Sequence, residues 1–130
     1  MIPVRQTKFG VPHGNCFSAC VASMLEMDIS EVPDFVPQYG DQWLEHFREW
    51  LVPKGLDYFE TWPKDIIEYL PKGHMIATGK SPRGDFNHCV IVKTSEPHEN
   101  LDLVWIHDPH PDNTFLESIT WVGFFIKISN

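Results

Sequence analysis

The chain has 130 residues and a mass of 15.1 kDa, enough for one hydrophobic core and too little for two ordinary domains, so a single domain over 1–130 is expected. Hydrophobic residues make up 42% and charged residues 22%, and nine Phe, five Trp and three Tyr carry much buriable area, which excludes disorder as the general state. Eighteen acidic against ten basic residues give a formal net charge of −8, a balance that repels a phosphate backbone and argues against nucleic acid as a partner.

Three cysteines cannot all pair, and neither a CxxC nor a zinc-finger spacing accompanies them. Reduced thiols, as in a cytoplasm, fit better than a disulfide scaffold or a structural zinc site. The N-terminal Met1-Ile2-Pro3-Val4-Arg5-Gln6 has no long apolar stretch, and no run approaches the roughly 20 apolar residues of a membrane span. Neither a secretion signal nor membrane association is expected.

From Lys8 to Asn15 two glycines and a proline break any regular element, so this stretch reads as a loop. Beyond it Phe17, Cys20, Val21, Met24 and Leu25 recur at the period of a helix burying one face, which predicts a helix from about Asn15 to Met27. The small neighbours Ser18, Ala19, Ala22 and Ser23 let other elements approach on several sides, as suits a central helix. Ser30-Glu31-Val32-Pro33 resembles a capped turn. A second helix is predicted from Asp41 to Leu51, with Trp43, Phe47, Trp50 and Leu51 on one face, closed by Pro53 and Gly55. A third, short one is predicted from Pro63 to Leu70.

After Gly73 the pattern changes. His74 to Thr78, Asn87 to Thr94, Leu101 to His107 and Ile119 to Ile128 are short β-branched or aromatic runs between Gly, Pro, Asn and Asp clusters. Helices first and strands afterwards predict an α+β fold, with the N-terminal helix packed on an antiparallel sheet from the second half.

Cys16 stands where the Gly-Asn loop becomes a helix, so the free N–H groups of the first turn and the positive end of the helix dipole favour a thiolate there. A free cysteine is commonly a small core residue, so its position acquires meaning only with partners. His88 opens the strand His88-Cys89-Val90-Ile91-Val92 and can accept a thiol proton. Asp108 ends the next strand, and a hairpin turning near His98 would set it opposite His88, close enough to fix the imidazole's tautomer. A slip of one residue would place His107 there instead. Gln6, across the glycine-containing loop from Cys16, can supply an oxyanion donor beside the Cys16 N–H.

The ordered set Gln6, Asn15-Cys16, His88 and Asp108-Pro109 resembles the papain-like cysteine hydrolases, and most closely the C39-like peptidase group, over the whole chain. The Cys-Gly-Pro of the bacteriocin-leader-cleaving branch is here Cys16-Phe17-Ser18, so the chain looks more like the small free-standing C39-like proteins of bacteria and their phages. The resemblance implies a papain-like fold, with Cys16 as nucleophile, His88 as general base and then acid, Asp108 as orienting carboxylate and Gln6 as oxyanion donor. It implies no cofactor, and a peptide or small acyl or amide substrate, possibly a protein tail, attacked at an amide or related acyl bond.

Asn15, Arg83, His107 and His110 are candidates for substrate contact: Arg83 is a cation in a turn near His88, and His107 to Pro111 is a stiff loop able to wall the site. His88, Cys89, His107, Asp108, His110 and Asp112 can also be read as a metal cluster, but two prolines stiffen the loop and no ligand pair has a usual spacing, so no metal is expected. Cys20 and Cys89 are expected to be buried and inert, with Cys89 alternating away from His88. The alternatives to a hydrolase are a catalytically relict binding module of a bacterium or phage on the same fold, or an acyltransferase of that fold.

Overall fold

The computed structural model describes residues 1–63, 70, 72–94 and 103–128. Of the expected elements, the interior of the helix from Pro63 to Leu70 and the turn near His98 lie outside the described residues. Helix α1 (Cys16–Leu25) buries Phe17, Ala19, Cys20, Val21 and Ala22. It stops two residues before the expected Met27 because Glu26 turns into the left-handed region at φ 58° and its N–H closes onto the Ala22 carbonyl. Asp28 caps the following turn through Ser30. A short helix α2 (Phe35–Tyr39), not anticipated because Pro37 sits inside it, leads into α3 (Trp43–Leu51). Phe47 and Leu51 are buried on α3, whereas Trp43 and Trp50 are half-buried.

Among the described residues five strands follow: β1 (Leu56–Thr61), β2 (His74–Lys80), β3 (Asn87–Thr94), β4 (Leu103–His107) and β5 (Ser118–Lys127). They form one antiparallel sheet in the order β1-β5-β2-β3-β4, so the fold is mixed α+β. β1 escapes the sequence pattern because Leu-Asp-Tyr-Phe-Glu-Thr mixes acidic and aromatic residues at a sheet edge. Its partner is the far end of the chain, with Leu56 opposite Lys127 and Thr61 opposite Val122. Among the described residues no helix is long and apolar enough to cross a membrane.

α1 packs on β3 and β2, and α3 on β1. On this face Phe17, Phe47 and Tyr58 meet edge-on with ring centroids 5.1–6.1 Å apart, over Ile76, Cys89 and Ile91. The other face buries Met75, Ala77, Val90, Val92 and Val122 beneath Leu116. Coverage on both faces explains why Cys89-Val90-Ile91-Val92 is an unbroken apolar run. Two glycines are obligatory: a Cβ at Gly123 would overlap the Tyr58 hydroxyl, and one at Gly79 would overlap the Ser118 carbonyl where β2 shifts register against β5.

Candidate active site

Cys16 is the first residue of α1, and no side chain caps that helix. Asn15 is otherwise engaged: its Oδ1 accepts the N–H groups of Thr7 (3.0 Å) and Lys8 (2.9 Å), and its Nδ2 donates to Thr7 Oγ1 at 2.9 Å. The first helical N–H to find a partner within the turn is that of Ala19, on the Asn15 carbonyl, so the positive end of α1 is left for the thiol.

The N-terminal segment is stitched on both sides. Val4 N–H donates to Ser23 Oγ of α1 (2.8 Å), and Val4 O accepts from His107 Nε2 (2.8 Å). Arg5 Nη1 donates to the carbonyls of Asp108 and His110 and to Asn113 Oδ1, at 2.9–3.0 Å, and Gln6 N–H donates to Pro109 O at 3.1 Å. These bonds wedge Gln6 between the start of α1 and the Asp108 loop. Its Nε2 donates to Lys8 O at 3.0 Å, which fixes the amide's orientation, while Oε1 is buried and has no partner among the described residues.

His88 Nε2 lies 2.7 Å from Asp108 Oδ1, with both side chains buried. Both carboxylate oxygens are bonded: Oδ1 also accepts His110 N–H (3.0 Å) and Oδ2 accepts Phe115 N–H (2.9 Å). Those bonds and the His88 contact hold the Asp108 carboxyl below its usual range against the opposing effect of burial. With Nε2 committed, Nδ1 is the nitrogen left for Cys16.

The pairing is not reached by the expected register. Ile91 stands opposite His107, a bulge separates Ile91 from Val92, and Asp108 lies beyond the end of β4. His88 and Asp108 are therefore not cross-strand neighbours. A loop carboxylate, held by Phe115 and His110, reaches the imidazole from the side.

The electrostatics form a matched pair. Cys16 is held well below an ordinary thiol, first by a hydrogen bond from the Cys89 thiol, against burial, and then by the hydrogen bond and charge of His88. Burial would lower His88, but the hydrogen bonds and charges of Asp108 and Cys16 outweigh it and push His88 up to about 9. Cys89 is raised well above an ordinary thiol by its bond to Cys16 and by burial, so it keeps its proton. Thr78 Oγ1 lies 3.3 Å from Cys89 Sγ, a contact in which either group can donate. Cys89 is buried as expected, but it does not face away from the site. At the start of β3 both it and His88 border the Cys16 cavity. Cys20 is raised well above an ordinary thiol by burial.

The cavity has a volume of about 770 Å³ and opens over Cys16, His88 and Gln6. Arg83 and His110 also line it. Arg83 is tied to Asp112 (3.0 and 3.2 Å) and to Thr114 Oγ1 (3.1 Å), so its charge is compensated within the wall. Asn15 and His107, expected at the substrate, do not line the cavity: the first clasps Thr7 and Lys8 and the second clasps Val4, because both are buried where backbone groups need partners. Among the described residues no group of three or more His, Cys, Asp or Glu is placed to hold a metal ion. No protein-family model matches the chain, and neither curated proteins nor solved structures return a match.

Proposed function

We propose that the chain is a thiol-dependent hydrolase of the papain-like type, similar to the C39-like peptidases, working in a reducing compartment such as the cytoplasm on the amide bond of a peptide or protein tail. The observation that carries this reading is the buried His88–Asp108 contact of 2.7 Å beside a half-buried Cys16 at an uncapped helix N-terminus. An inert core cysteine needs no imidazolium, and a binding surface needs no buried carboxylate held behind one.

In this reading Cys16 gives its proton to His88 Nδ1, while His88 Nε2–H donates to Asp108. The thiolate attacks the substrate carbonyl carbon, and the carbonyl π electrons move onto oxygen. The oxyanion is met by the Cys16 N–H and by the Gln6 Nε2 hydrogen not used on Lys8. Collapse breaks the C–N bond, the amine leaves with the proton from His88, and an acyl-enzyme remains on Cys16. His88 then takes a proton from water, hydroxide adds to the thioester carbonyl, and the second collapse breaks the C–S bond, releases the acid and restores the Cys16 thiolate beside protonated His88.

p-Nitrophenyl acetate tests this directly. The expected result is a burst of one nitrophenolate per chain with the acetyl group mapped to Cys16, lost in Cys16→Ala and strongly slowed in His88→Ala. Acetylation confined to lysines, or spread over the cysteines without a burst, would refute the hydrolase and return the chain to a binding role.

A further inference from the structure

The floor of the cavity is the helix-covered face of the sheet. From β3 outward it is formed by Cys89, then Thr78 of β2, Trp121 of β5 and finally Glu60 of β1, all of which line the cavity. Thr78 stands opposite both Cys89 and Trp121, and Glu60 stands opposite Gly123, two residues along β5 from Trp121. Three inter-strand steps of about 4.8 Å and the two-residue offset along β5, about 6.6 Å, put the Glu60 backbone roughly 16 Å from Cys89. Tyr58, on the same face of β1, is packed into the core against Phe17. Glu60 is a half-buried carboxylate beyond it, at the far end of the same cavity.

Among the described residues Glu60 has neither a hydrogen-bond nor an ion-pair partner. Arg83, a cation that also lines the cavity, is already neutralised by Asp112. Burial raises the Glu60 carboxyl above its ordinary value, the mark of a carboxylate that has lost water and gained no cation. Two half-buried tryptophans, Trp43 and Trp121, line the cavity with it, and aromatic faces attract cations. A chain of net charge −8 also draws cationic ligands toward it.

We propose that Glu60, with Trp43 and Trp121, forms a subsite for a cationic side chain, the lysine or arginine of a peptide substrate. Its place relative to the scissile carbonyl rests on the hydrolase reading, whereas the binding does not. Two extended residues at about 3.3 Å each, plus roughly 6 Å of lysine stem, carry an ammonium from the Cys16 corner most of the way to Glu60, whose own side chain covers the remainder. The subsite therefore selects a basic residue two positions from the bond cleaved.

The test is equilibrium binding to Cys16→Ala of alanine-based hexapeptide amides that differ at one position, lysine, norleucine or glutamate, read by tryptophan fluorescence. Lysine is expected to bind about tenfold tighter than norleucine, the lower end for a charge-assisted contact at a partly exposed group. That ratio is expected to fall to near unity when Glu60→Gln is added, and Glu60→Lys is expected to reverse it in favour of the glutamate peptide. Glutamine is isosteric and costs less to bury than an unpaired carboxylate, so the fold is not at risk. Equal affinity for lysine and norleucine, no saturable binding of any peptide, or a lysine preference that survives Glu60→Gln would each overturn the subsite. A Glu60-dependent preference with no acetyl burst on wild-type Cys16 would keep the subsite and sink the hydrolase; a burst without charge discrimination would do the reverse.

Discussion

Replacing Asp108 by Asn leaves the size of the side chain unchanged and takes away the charge that His88 leans on. The carboxylate accepts three N–H groups, from His88 and His110 on Oδ1 and from Phe115 on Oδ2. An amide has one acceptor oxygen, so its NH₂ must face either the Phe115 N–H or the His88 side. In the first case a buried donor meets a donor. In the second the same conflict arises with His110 N–H, and His88 is forced into the tautomer that carries hydrogen on Nδ1, where it cannot take the Cys16 proton. The unpaired donor costs about 1–3 kcal/mol of stability. Loss of the charge-assisted bond to the imidazolium removes about 1.5–3 kcal/mol from the thiolate–imidazolium state, a factor of roughly ten to a hundred in its population. Iodoacetamide at pH 5 to 10, with the label mapped to each cysteine, reads this population. Asp108→Asn is expected to slow Cys16 alkylation at neutral pH by about ten- to a hundredfold and to move its onset toward alkaline pH. An unchanged rate and profile in a folded variant would show that Asp108 does not sustain the charge on His88.

With lysine-containing fluorogenic peptide amides, kcat/KM is expected to trace a bell: it rises as pH climbs through the depressed Cys16 value, because the thiolate is absent below it, and falls as His88 loses its proton near about 9. A profile that rises only at the pH of an ordinary thiol would contradict the ion pair. Gln6→Ala is expected to lower kcat for those substrates about a hundredfold with KM little changed, because its donor acts on charge that exists only in the transition state. Phe17→Ala removes a ring packed against Trp43, Phe47 and Tyr58 at 5.0–6.1 Å and is expected to cost about 3–5 kcal/mol in urea unfolding. A cost below 1 kcal/mol would mean that this aromatic cluster is not the centre of the core.

The helix of Cys16 was legible because Phe17, Cys20, Val21, Met24 and Leu25 keep a 3.6-residue period, and β2, β3 and β5 because β-branched runs lie between turn residues. β1 and α2 were not, since Asp57, Glu60 and Pro37 break any periodic pattern and the β1 pairing joins residues 56–61 to 122–127. At the site, the sequence pointed to Asp108 beside His88 through a symmetrical hairpin. The structure brings the two side chains together by other means, a bulged ladder and a loop that folds back through Phe115. The β3–β4 bulge falls at Ile91-Val92, where no glycine or proline marks it. Cys89 and Glu60 were hidden for a related reason: strand alternation says which face a residue shares, and the cavity depends on how far the covering helices reach across that face.

Where the three thiols of this chain stand sets them apart: Cys16 is lowered, and Cys20 and Cys89 are raised. Competitive alkylation of the folded wild-type protein by substoichiometric iodoacetamide from pH 5 upward, with labelled peptides counted for Cys16, Cys20 and Cys89, reads that difference. Cys16 is expected to take nearly all the label and to keep reacting well below the ordinary thiol value of about 8.5, while Cys20 and Cys89, buried and raised, react only on unfolding. Equal labelling of the three cysteines, or labelling of Cys16 confined to alkaline pH, would contradict the account.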